Sequence, residues 1–422
     1  TTINKEMQIA AVYAIAGLAR EDVPDSVSRA YDAKTLYFSK EYIIPKPLDP
    51  RLIAAVAPAV AKAAMESGVA RSRITNWEEY QNILRERVGI DNQLISEIQN
   101  KAKQGPKRLV MGEANSYNVL KAAQVLQHQK MAHPILLGDE EKIKKILKDN
   151  RIELNPLNIV DYAKDIEKKE KFAKQFFSKR HRKGITLDQA RNLMNHHEYY
   201  GVMMVENNEA DAFVAGCYGN YANVIRPAVQ VLGCNKITNK VAGMYVVMTK
   251  KGPLFFSDTS VNIKPDADTL VQITLLAAEQ VRKLDIEPVI AFVSYSNFGL
   301  VREGSPLRVQ EAIKILHENY PELIVDGEMQ ANMVFNKQLR QNMYPFCKLG
   351  DKDVNTIIFP NLSSGNITSK MIQSIGEGDI IGPLLLGLNK QVHVFHMDNS
   401  VREIVNLSSI AIVGAQSGND CM

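Results

Sequence analysis

Two arginines stand in sequence surroundings suited to holding an anion. Arg226 directly precedes Pro227 in the stretch AGCYGNYANVIRPAVQ, where Gly216 and Gly219 keep the backbone open. The other, Arg180, belongs to the run SKRHRKGIT, whose cations include Lys179, Arg180, Arg182 and Lys183. A planar guanidinium donates two parallel hydrogen bonds to a phosphate, which the ammonium of lysine cannot do. For either arginine alone a surface salt bridge is the favoured interpretation; both stay candidates for binding a phosphate-bearing ligand.

Two polar loops follow apolar segments later in the chain. The strand-like segment PVIAFV leads into residues 294–299, of which we predict four as ligand contacts: Ser294, Tyr295, Ser296 and Asn297. The stretch NLSSGNITSK contains Gly365 and Asn366, which indicate a tight turn before a helix N-terminus, a place suited to an anion. Ligands of α/β proteins lie outside the carboxyl ends of parallel strands. The alternatives are a plain β-to-α turn for the first loop and a scaffold role for the second.

Residues 381–405, IGPLLLGLNKQVHVFHMDNSVREIV, combine a buried apolar half with a polar half. Lys390 is a cation at the end of the apolar half, and we predict that it contributes to anion binding. His396 could serve as a base, but a histidine on such a loop more often makes a simple polar contact. Met397 cannot stabilise negative charge, and Glu403 adds a carboxylate nearby.

The elements that must position these residues alternate between strand and helix. In residues 107–240, KRLVMGEA and PILLGD are strand-like, and each is followed by an amphipathic helical segment. AGMYVVMTKKGPLFFSDTSV predicts a hairpin with its turn at 250–253. Upstream, residues 4–20, about 49–67 and the segment NWEEYQNILRERVG predict helices. The pattern predicts two three-layer α/β lobes with a cleft between them, preceded by a helical segment.

Composition and charge argue against a nucleic-acid-binding protein and against a membrane protein. The chain has 422 residues, 45% of them hydrophobic, and a formal net charge of +4, which does not favour a nucleic-acid partner. No apolar run reaches the ~20 residues of a membrane helix, so we expect no membrane partner. The four cysteines, Cys217, Cys234, Cys347 and Cys421, form no CxxC pair, which fits a reducing cytoplasm. The adjacent His196 and His197 would diverge on a helix, so no metal site is predicted.

These motifs together resemble the phosphate acetyltransferase (phosphotransacetylase) family, whose signature I-G-P-x-x-x-G-x-x-K-P-V-N-D-L-S-R-G-x-x-x-x-D-I-V matches residues 381–405 in outline. The resemblance implies acyl-CoA binding in an interlobe cleft and a fold similar to isocitrate and isopropylmalate dehydrogenases. It places the catalytic Ser-Arg pair on His396 and Met397 and the catalytic Asp on Glu403, so no catalytic residue is intact. The family motifs also place ligand-binding arginines on Arg180 and Arg226, and this match favours the ligand role for both.

A second resemblance covers roughly residues 1–70. INKEMQIAAVYAIAGLA and EYIIPKPLDPRLIAAVAPAVAKAAMESGVA resemble the end of the catalytic half of bacterial NADP-dependent malic enzymes, which carry a phosphotransacetylase-like domain after this point. It implies four parts: a malic enzyme tail (1–70), linker helices (71–104), a first lobe (105–240 plus 385–422) and a second lobe (241–384). No GxGxxG motif and no acidic metal-ligand cluster is present. NADP and a divalent metal are therefore expected only in a full-length protein, and this chain needs no cofactor of its own.

The sequence thus predicts a regulatory domain that senses acetyl-CoA, or a related acyl-CoA, without transferase activity, within a cytoplasmic homo-oligomer. Two alternatives stay open. The domain could be an active phosphate acetyltransferase using His396 and Glu403, or an assembly domain that only dimerises.

Overall fold

The computed structural model describes residues 3–21, 23, 27, 31, 36, 38–87, 93–218, 221–235, 238–249, 251–375 and 380–416. Gly219, Lys250 and Cys421 lie outside these ranges. The chain divides into two compact units, residues 1–93 and 94–422, and the boundary falls inside the connection predicted at 71–104. No helix in the described part of the chain is both long and apolar enough to cross a membrane.

In the described residues of unit 1, the predicted helical segments form α1 (Lys5–Arg20), α2 (Arg51–Glu66) and α3 (Trp77–Arg87). The side chain of Asn4 caps α1 by accepting a hydrogen bond from the Met7 amide, as predicted for a helix beginning here. The same side chain donates to the Ser67 hydroxyl at the end of α2, 2.7 Å away, and so ties the two helices together. Gly68 follows α2 with a positive φ of 76°, the usual conformation after a helix end.

Unit 2 alternates helices and strands along its length. Its strands are β1 (Lys107–Met111), β2 (Ala132–Leu137), β3 (Ile159–Val160), β4 (Ala212–Cys217), β5 (Ala242–Thr249), β6 (Gly252–Ser257), β7 (Val289–Val293), β8 (Ile324–Met329), β9 (Thr356–Ile358), β10 (Ile380–Leu386) and β11 (Gln391–His396). Its helices are α4 (Gln93–Gln104), α5 (Tyr117–His128), α6 (Glu140–Asp149), α7 (Ile166–Arg180), α8 (Leu187–Leu193), α9 (His197–Glu206), α10 (Ala222–Val231), α11 (Ala267–Lys283), α12 (Gly304–Asn319), α13 (Ala331–Phe335), α14 (Lys337–Met343), α15 (Leu362–Ile375) and α16 (Val401–Gln416).

The first lobe is built on a five-stranded sheet in the order β11-β4-β1-β2-β3. Every pairing in it is parallel, so all its strands end at the same edge. Alternate residues of β1 belong to different core clusters, with Leu109 and Met111 in one and Val110 in another. The sheet is therefore covered on both faces, as the βαβα pattern predicts.

The second lobe is built on a six-stranded mixed sheet in the order β10-β5-β6-β9-β7-β8. Strands β5 and β6 form the predicted antiparallel hairpin, and β6, β9, β7 and β8 run parallel. Along β5, Val246 and Tyr245 point into different core clusters, so this sheet is also covered on both faces. The prediction of two three-layer α/β lobes is confirmed.

The lobes meet where β10 of the second sheet is followed by β11 of the first. The amide of Leu385 on β10 donates to Nδ1 of the fully buried His393 on β11, 3.1 Å away. Helix α16 then packs against β11, β10 and β4. The C-terminal part of the chain therefore returns to the first lobe, as the family resemblance implies.

Candidate functional site

A polar cluster occupies the carboxyl edge of the first sheet between β1 and β4. The order of strands across the sheet reverses between these two strands. After β1 the chain adds β2 and β3 on one side, whereas β4 and then β11 are added on the other side. Such a switch point is where open α/β sheets bind ligands. Glu113 follows β1 here with a left-handed φ of 49°, and its carboxylate accepts a hydrogen bond from the Gly216 amide on β4.

The other oxygen of the Glu113 carboxylate contacts Nε2 of His197 at the start of α9. Nδ1 of the same imidazole lies 3.5 Å from the carboxylate of Glu198. Burial acts to lower the pKa of His197, but the hydrogen bond and charge of Glu113, with the charge of Glu198, outweigh it, so the pKa is raised. The Glu113 carboxylate therefore favours the protonated form of the His197 imidazole beside the strand ends.

Met397 fills the space over the same strand end. Its amide donates to the Cys217 carbonyl, 3.1 Å away, and its thioether lies directly over Gly216, where an added Cβ would collide with it. An apolar thioether thus occupies the position that the family resemblance assigns to a catalytic arginine.

His396 is held in a short turn after β11. Its amide donates to the side chain of Asn399, and the Asn399 amide donates back to the His396 carbonyl, 2.8 Å away. Its Nδ1 faces the exposed Asp398 carboxylate at 3.2 Å. The ring therefore makes a polar contact with Asp398, and the absence of a catalytic role for His396 stays a prediction.

Glu403 is bound into the first turn of α16. Its carboxylate accepts from the Ser400 amide at 2.8 Å, while the Ser400 hydroxyl accepts from the Glu403 amide at 3.3 Å. This reciprocal pattern is a capping box, in which both residues satisfy backbone donors at a helix N-terminus. The carboxylate that replaces the family's catalytic Asp therefore has a structural task.

Two tyrosines join the lobes beside this edge. The hydroxyl of Tyr221, which precedes α10 in the first lobe, lies 3.3 Å from that of Tyr245 on β5 in the second. Tyr245 is buried opposite the bulge where β10 carries Gly382, since an added Cβ there would lie 2.9 Å from its ring. Burial first, then the neighbouring Tyr221, Cys217 and Glu403, raises the pKa of Tyr245, which also places this ring beside the strand ends.

The two predicted arginines converge on Tyr199 of α9. Burial raises the pKa of Tyr199, while the positive charges of Arg226 and Arg180 act to lower it. The Tyr199 hydroxyl donates to Gln230, one helical turn beyond Arg226 on α10, at 2.7 Å. Within the described ranges neither guanidinium forms an ion pair, and Nε of Arg180 is buried without a hydrogen-bond acceptor. Two guanidiniums with no ion pair in the described ranges thus act on the same hydroxyl, and Arg226 lies on the helix that Tyr221 precedes.

The loop after β7 is fully engaged with itself and with the end of β8. The Ser296 hydroxyl donates to the Glu328 carboxylate at 2.9 Å, and the Asn297 side chain accepts from the Gln330 amide at 2.8 Å. The Ser294 hydroxyl accepts from the Ser296 amide, while Tyr295 is exposed. No hydrogen bond among the described residues links this loop to His396, and the role of these four residues as ligand contacts stays a prediction.

The turn predicted at Gly365 and Asn366 is wrong, because the Asn361 side chain accepts from the Ser364 amide and the helix already begins at Leu362. Both residues lie inside α15, and Gly365 is packed against the backbone of the loop after β6. A Cβ at Gly365 would collide with the Asp258 carbonyl, and the Asn366 side chain donates through Nδ2 to the Thr259 carbonyl at 3.3 Å. Both contacts support the scaffold alternative.

Lys390 is placed away from the other predicted residues, before the amino end of β11. Its ammonium donates to the carbonyls of Val205 and Glu206 and to the Asn208 side chain, at 2.8, 3.2 and 2.7 Å. Burial lowers the pKa of Lys390. It caps the end of α9, at the opposite end of β11 from His396.

Sequence reasoning missed four residues of this edge. Glu113 lies near the end of the strand-like segment KRLVMGEA, a placement that could have identified it. His197 was considered only as a metal ligand. Neither Tyr221 nor Tyr245 could be identified from the residues next to it in sequence, because the hydrogen-bond partner of each tyrosine lies in the other lobe.

The phosphate acetyl/butaryl transferase family matches residues 93–412, which is most of unit 2. The chain belongs to this family. Phosphate acetyltransferase from Acetivibrio thermocellus is 31% identical over 329 residues, covering 76% of this chain and 98% of its own length. A phosphotransacetylase structure from Streptococcus pyogenes is 29% identical and superposes with a TM-score of 0.71 over 78% of this chain and 99% of its own.

Almost the whole chain is also similar to bacterial malic enzymes. NADP-dependent malic enzyme from Escherichia coli is 38% identical over 422 residues, covering 99% of this chain and 55% of the relative. The chain therefore spans about half the length of the malic enzymes that it matches. The similarity includes unit 1, which the transferase family match leaves out, and the predicted union of a malic enzyme with a phosphotransacetylase-like part is confirmed.

Proposed function

We propose that unit 2 binds acetyl-CoA, or a related acyl-CoA, as a regulatory ligand and does not transfer the acyl group. The observation that carries this proposal is the altered strand edge. Met397 closes the space over Gly216, and Glu403 is committed to its capping box with Ser400. A transferase of this kind must stabilise a tetrahedral oxyanion and generate a thiolate, and neither residue supplies the donor or the free base.

Anion binding would rest on the two arginines near Tyr199. Arg226 and Arg180 lie near Tyr199 with no carboxylate paired to either guanidinium in the described part of the chain. Since a guanidinium binds phosphate bidentately, this pair is suited to the phosphates of a CoA ligand. We assign Arg226 and Arg180 as its principal cations.

In a full-length protein, unit 1 would belong to a malic enzyme that decarboxylates malate oxidatively with NADP and a divalent metal. Acyl-CoA binding in unit 2 would then shift a cytoplasmic homo-oligomer between states of different activity, a coupling of about 1–3 kcal/mol being typical.

The test is a calorimetric titration of this chain with acetyl-CoA, paired with an assay for phosphate-dependent thiol release. We expect saturable binding, no turnover, and at least several-fold weaker binding by Arg226→Ala. Arg282→Ala is the matched control, because Arg282 lies on the surface of the second lobe 3.7 Å from Glu287. Turnover at enzymatic rates would favour the active transferase, and equal affinity of the Arg226→Ala variant would overturn the site assignment.

A further inference from the structure

A cavity of about 450 Å³ opens between helix α12 and strand β8 in the second lobe. Its volume lies in the range of small-molecule pockets. Strand β8 is the edge of the sheet opposite to β10, the strand next to the first lobe. Five strand spacings separate the two edges, about 24 Å, so this cavity is distinct from the strand edge that carries His396 and from the arginine pair.

One wall of the cavity is formed by Glu328, a fully buried carboxylate with no cationic partner in the described ranges. One of its oxygens accepts from the Ser296 hydroxyl, the Gly299 amide and the Gln310 side chain, at 2.9, 3.0 and 3.2 Å. The other oxygen is buried without a hydrogen-bond donor. Leaving such a group unpaired is costly, because it has lost its water and gained nothing in exchange.

The opposite wall is aromatic. Phe298 packs against Tyr344 and Phe346, with ring centroids 4.7 and 5.1 Å apart, and Phe298 and Phe346 line the cavity. The Phe346 ring is 67% exposed, a large fraction for a side chain packed against two other rings. A cation placed over an aromatic face is attracted by the ring's negative π-density.

The remaining polar groups of the wall are acceptors as well. Nε2 of His317 donates to the Val325 carbonyl at 2.9 Å, which leaves Nδ1 as an acceptor. The side-chain NH2 group of Gln310 donates to the Val301 carbonyl and to Glu328, so the side-chain oxygen of Gln310 remains as an acceptor for a ligand. At the rim, Lys314 and Glu318 face each other at 3.9 Å and balance in charge. The cavity therefore offers acceptors and aromatic faces to a ligand that must bring the donors.

We propose that this cavity binds a small organic cation with several N–H donors, a primary ammonium or a guanidinium, through Glu328 and Phe346. The negative charge of the buried Glu328 carboxylate and the exposed face of Phe346 attract the cation. Because one oxygen of this carboxylate holds Ser296 and Gly299, and Gly299 itself lines the cavity, an occupant is linked directly to the loop after β7. This proposed site does not depend on acyl-CoA binding, so the experiment below tests it separately from the proposed function.

The test uses n-butylammonium chloride as the probe and n-butanol as its uncharged counterpart, titrated by calorimetry at constant ionic strength. We expect saturable millimolar binding of the ammonium and none of the alcohol. Glu328→Gln keeps acceptors for Ser296 and Gly299 but removes the charge, and should weaken binding roughly tenfold. Phe346→Ala should weaken it several-fold, whereas Phe335→Ala, another exposed phenylalanine outside the cavity lining, should not.

Three results would overturn the proposal: equal binding of the alcohol and the ammonium, no saturable binding of the ammonium, or parental affinity in both cavity variants. Should Glu328→Gln fail to fold, the comparison of Phe346→Ala with Phe335→Ala still decides, since both side chains are largely exposed.

Discussion

The hydroxyl oxygens of Tyr221 and Tyr245 lie 3.3 Å apart, and the hydrogen bond between them joins the first lobe to the second. Tyr245 is 3% exposed, so this bond is shielded from water. The hydrogen bond lies beside the edge where strands β4 and β11 end. It is also close to the start of α10, the helix that carries Arg226. Because this hydrogen bond joins the lobes beside the proposed ligand site, the relative position of the lobes is coupled to that site.

The first prediction concerns this bond. Tyr221→Phe and Tyr245→Phe should each lower the free energy of unfolding by about 1 kcal/mol. The double variant should lose less than the sum, because both changes remove the same bond. Urea unfolding of the four proteins measures the coupling. Tyr221→Phe combined with Tyr320→Phe is the control and should be additive, and additivity in the Tyr221/Tyr245 pair as well would show that the hydroxyls do not interact.

The second prediction concerns the pH dependence of stability through His393. Burial lowers the pKa of this imidazole from 6.5 to about 4. Between these values the unfolded chain binds a proton that the folded chain excludes, so stability falls as the pH falls from 6.5 towards 4. At about 1.4 kcal/mol for each pKa unit, the loss attributable to His393 reaches roughly 3 kcal/mol near pH 4.

His393→Asn removes this titration and leaves a side chain able to accept from the Leu385 amide. The stability difference between parent and variant should therefore shift in favour of the variant as the pH falls. His133→Asn on β2, an exposed histidine, is the control and should show a constant difference. A constant difference for His393→Asn too would mean that His393 does not govern the acid loss.

The third prediction separates two roles for Lys390. The structure uses its ammonium to bind carbonyls at the end of α9. Lys390→Met keeps most of the aliphatic stem and should lower stability by about 1–3 kcal/mol, because it leaves those carbonyls without their donor. It should not change the affinity for acetyl-CoA. Lys144→Met removes a surface pair with Glu140 and should cost little; weaker acetyl-CoA binding specific to Lys390→Met would restore Lys390 to the ligand site.

Local features of this fold could be predicted from sequence because their causes are local. Asn4 caps α1 through an amide three residues ahead, and the β5–β6 hairpin is encoded by two alternating segments around one turn. The alternation of strands and helices likewise sets the two-lobe class, since each apolar strand needs cover on both faces.

The roles of site residues depend on distant partners and could not be predicted in the same way. Ser296 has the composition of an anion donor, but its hydroxyl is spent on Glu328, 32 residues later. Lys390 stands near the catalytic signature in sequence, yet the six residues of β11 separate it from that strand's carboxyl end. Arg226 is predicted as a ligand residue because its flanking residues match a family motif, since an arginine considered alone more often forms a surface salt bridge.

The last prediction tests whether Glu403 is a cap or a base. The Glu403 carboxylate accepts a hydrogen bond from the Ser400 amide, and the Ser400 hydroxyl accepts one from the Glu403 amide. Glu403→Ala and Ser400→Ala should each lower stability by about 0.5–2 kcal/mol. Glu403→Gln should be close to neutral, because glutamine serves equally in a capping box, whereas a general base would lose its function on becoming an amide. Thermal unfolding and phosphate-dependent thiol release, measured on the same variants, distinguish the two. A stable Glu403→Gln protein that loses a turnover present in the parent would identify Glu403 as a base and return the chain to the active transferases.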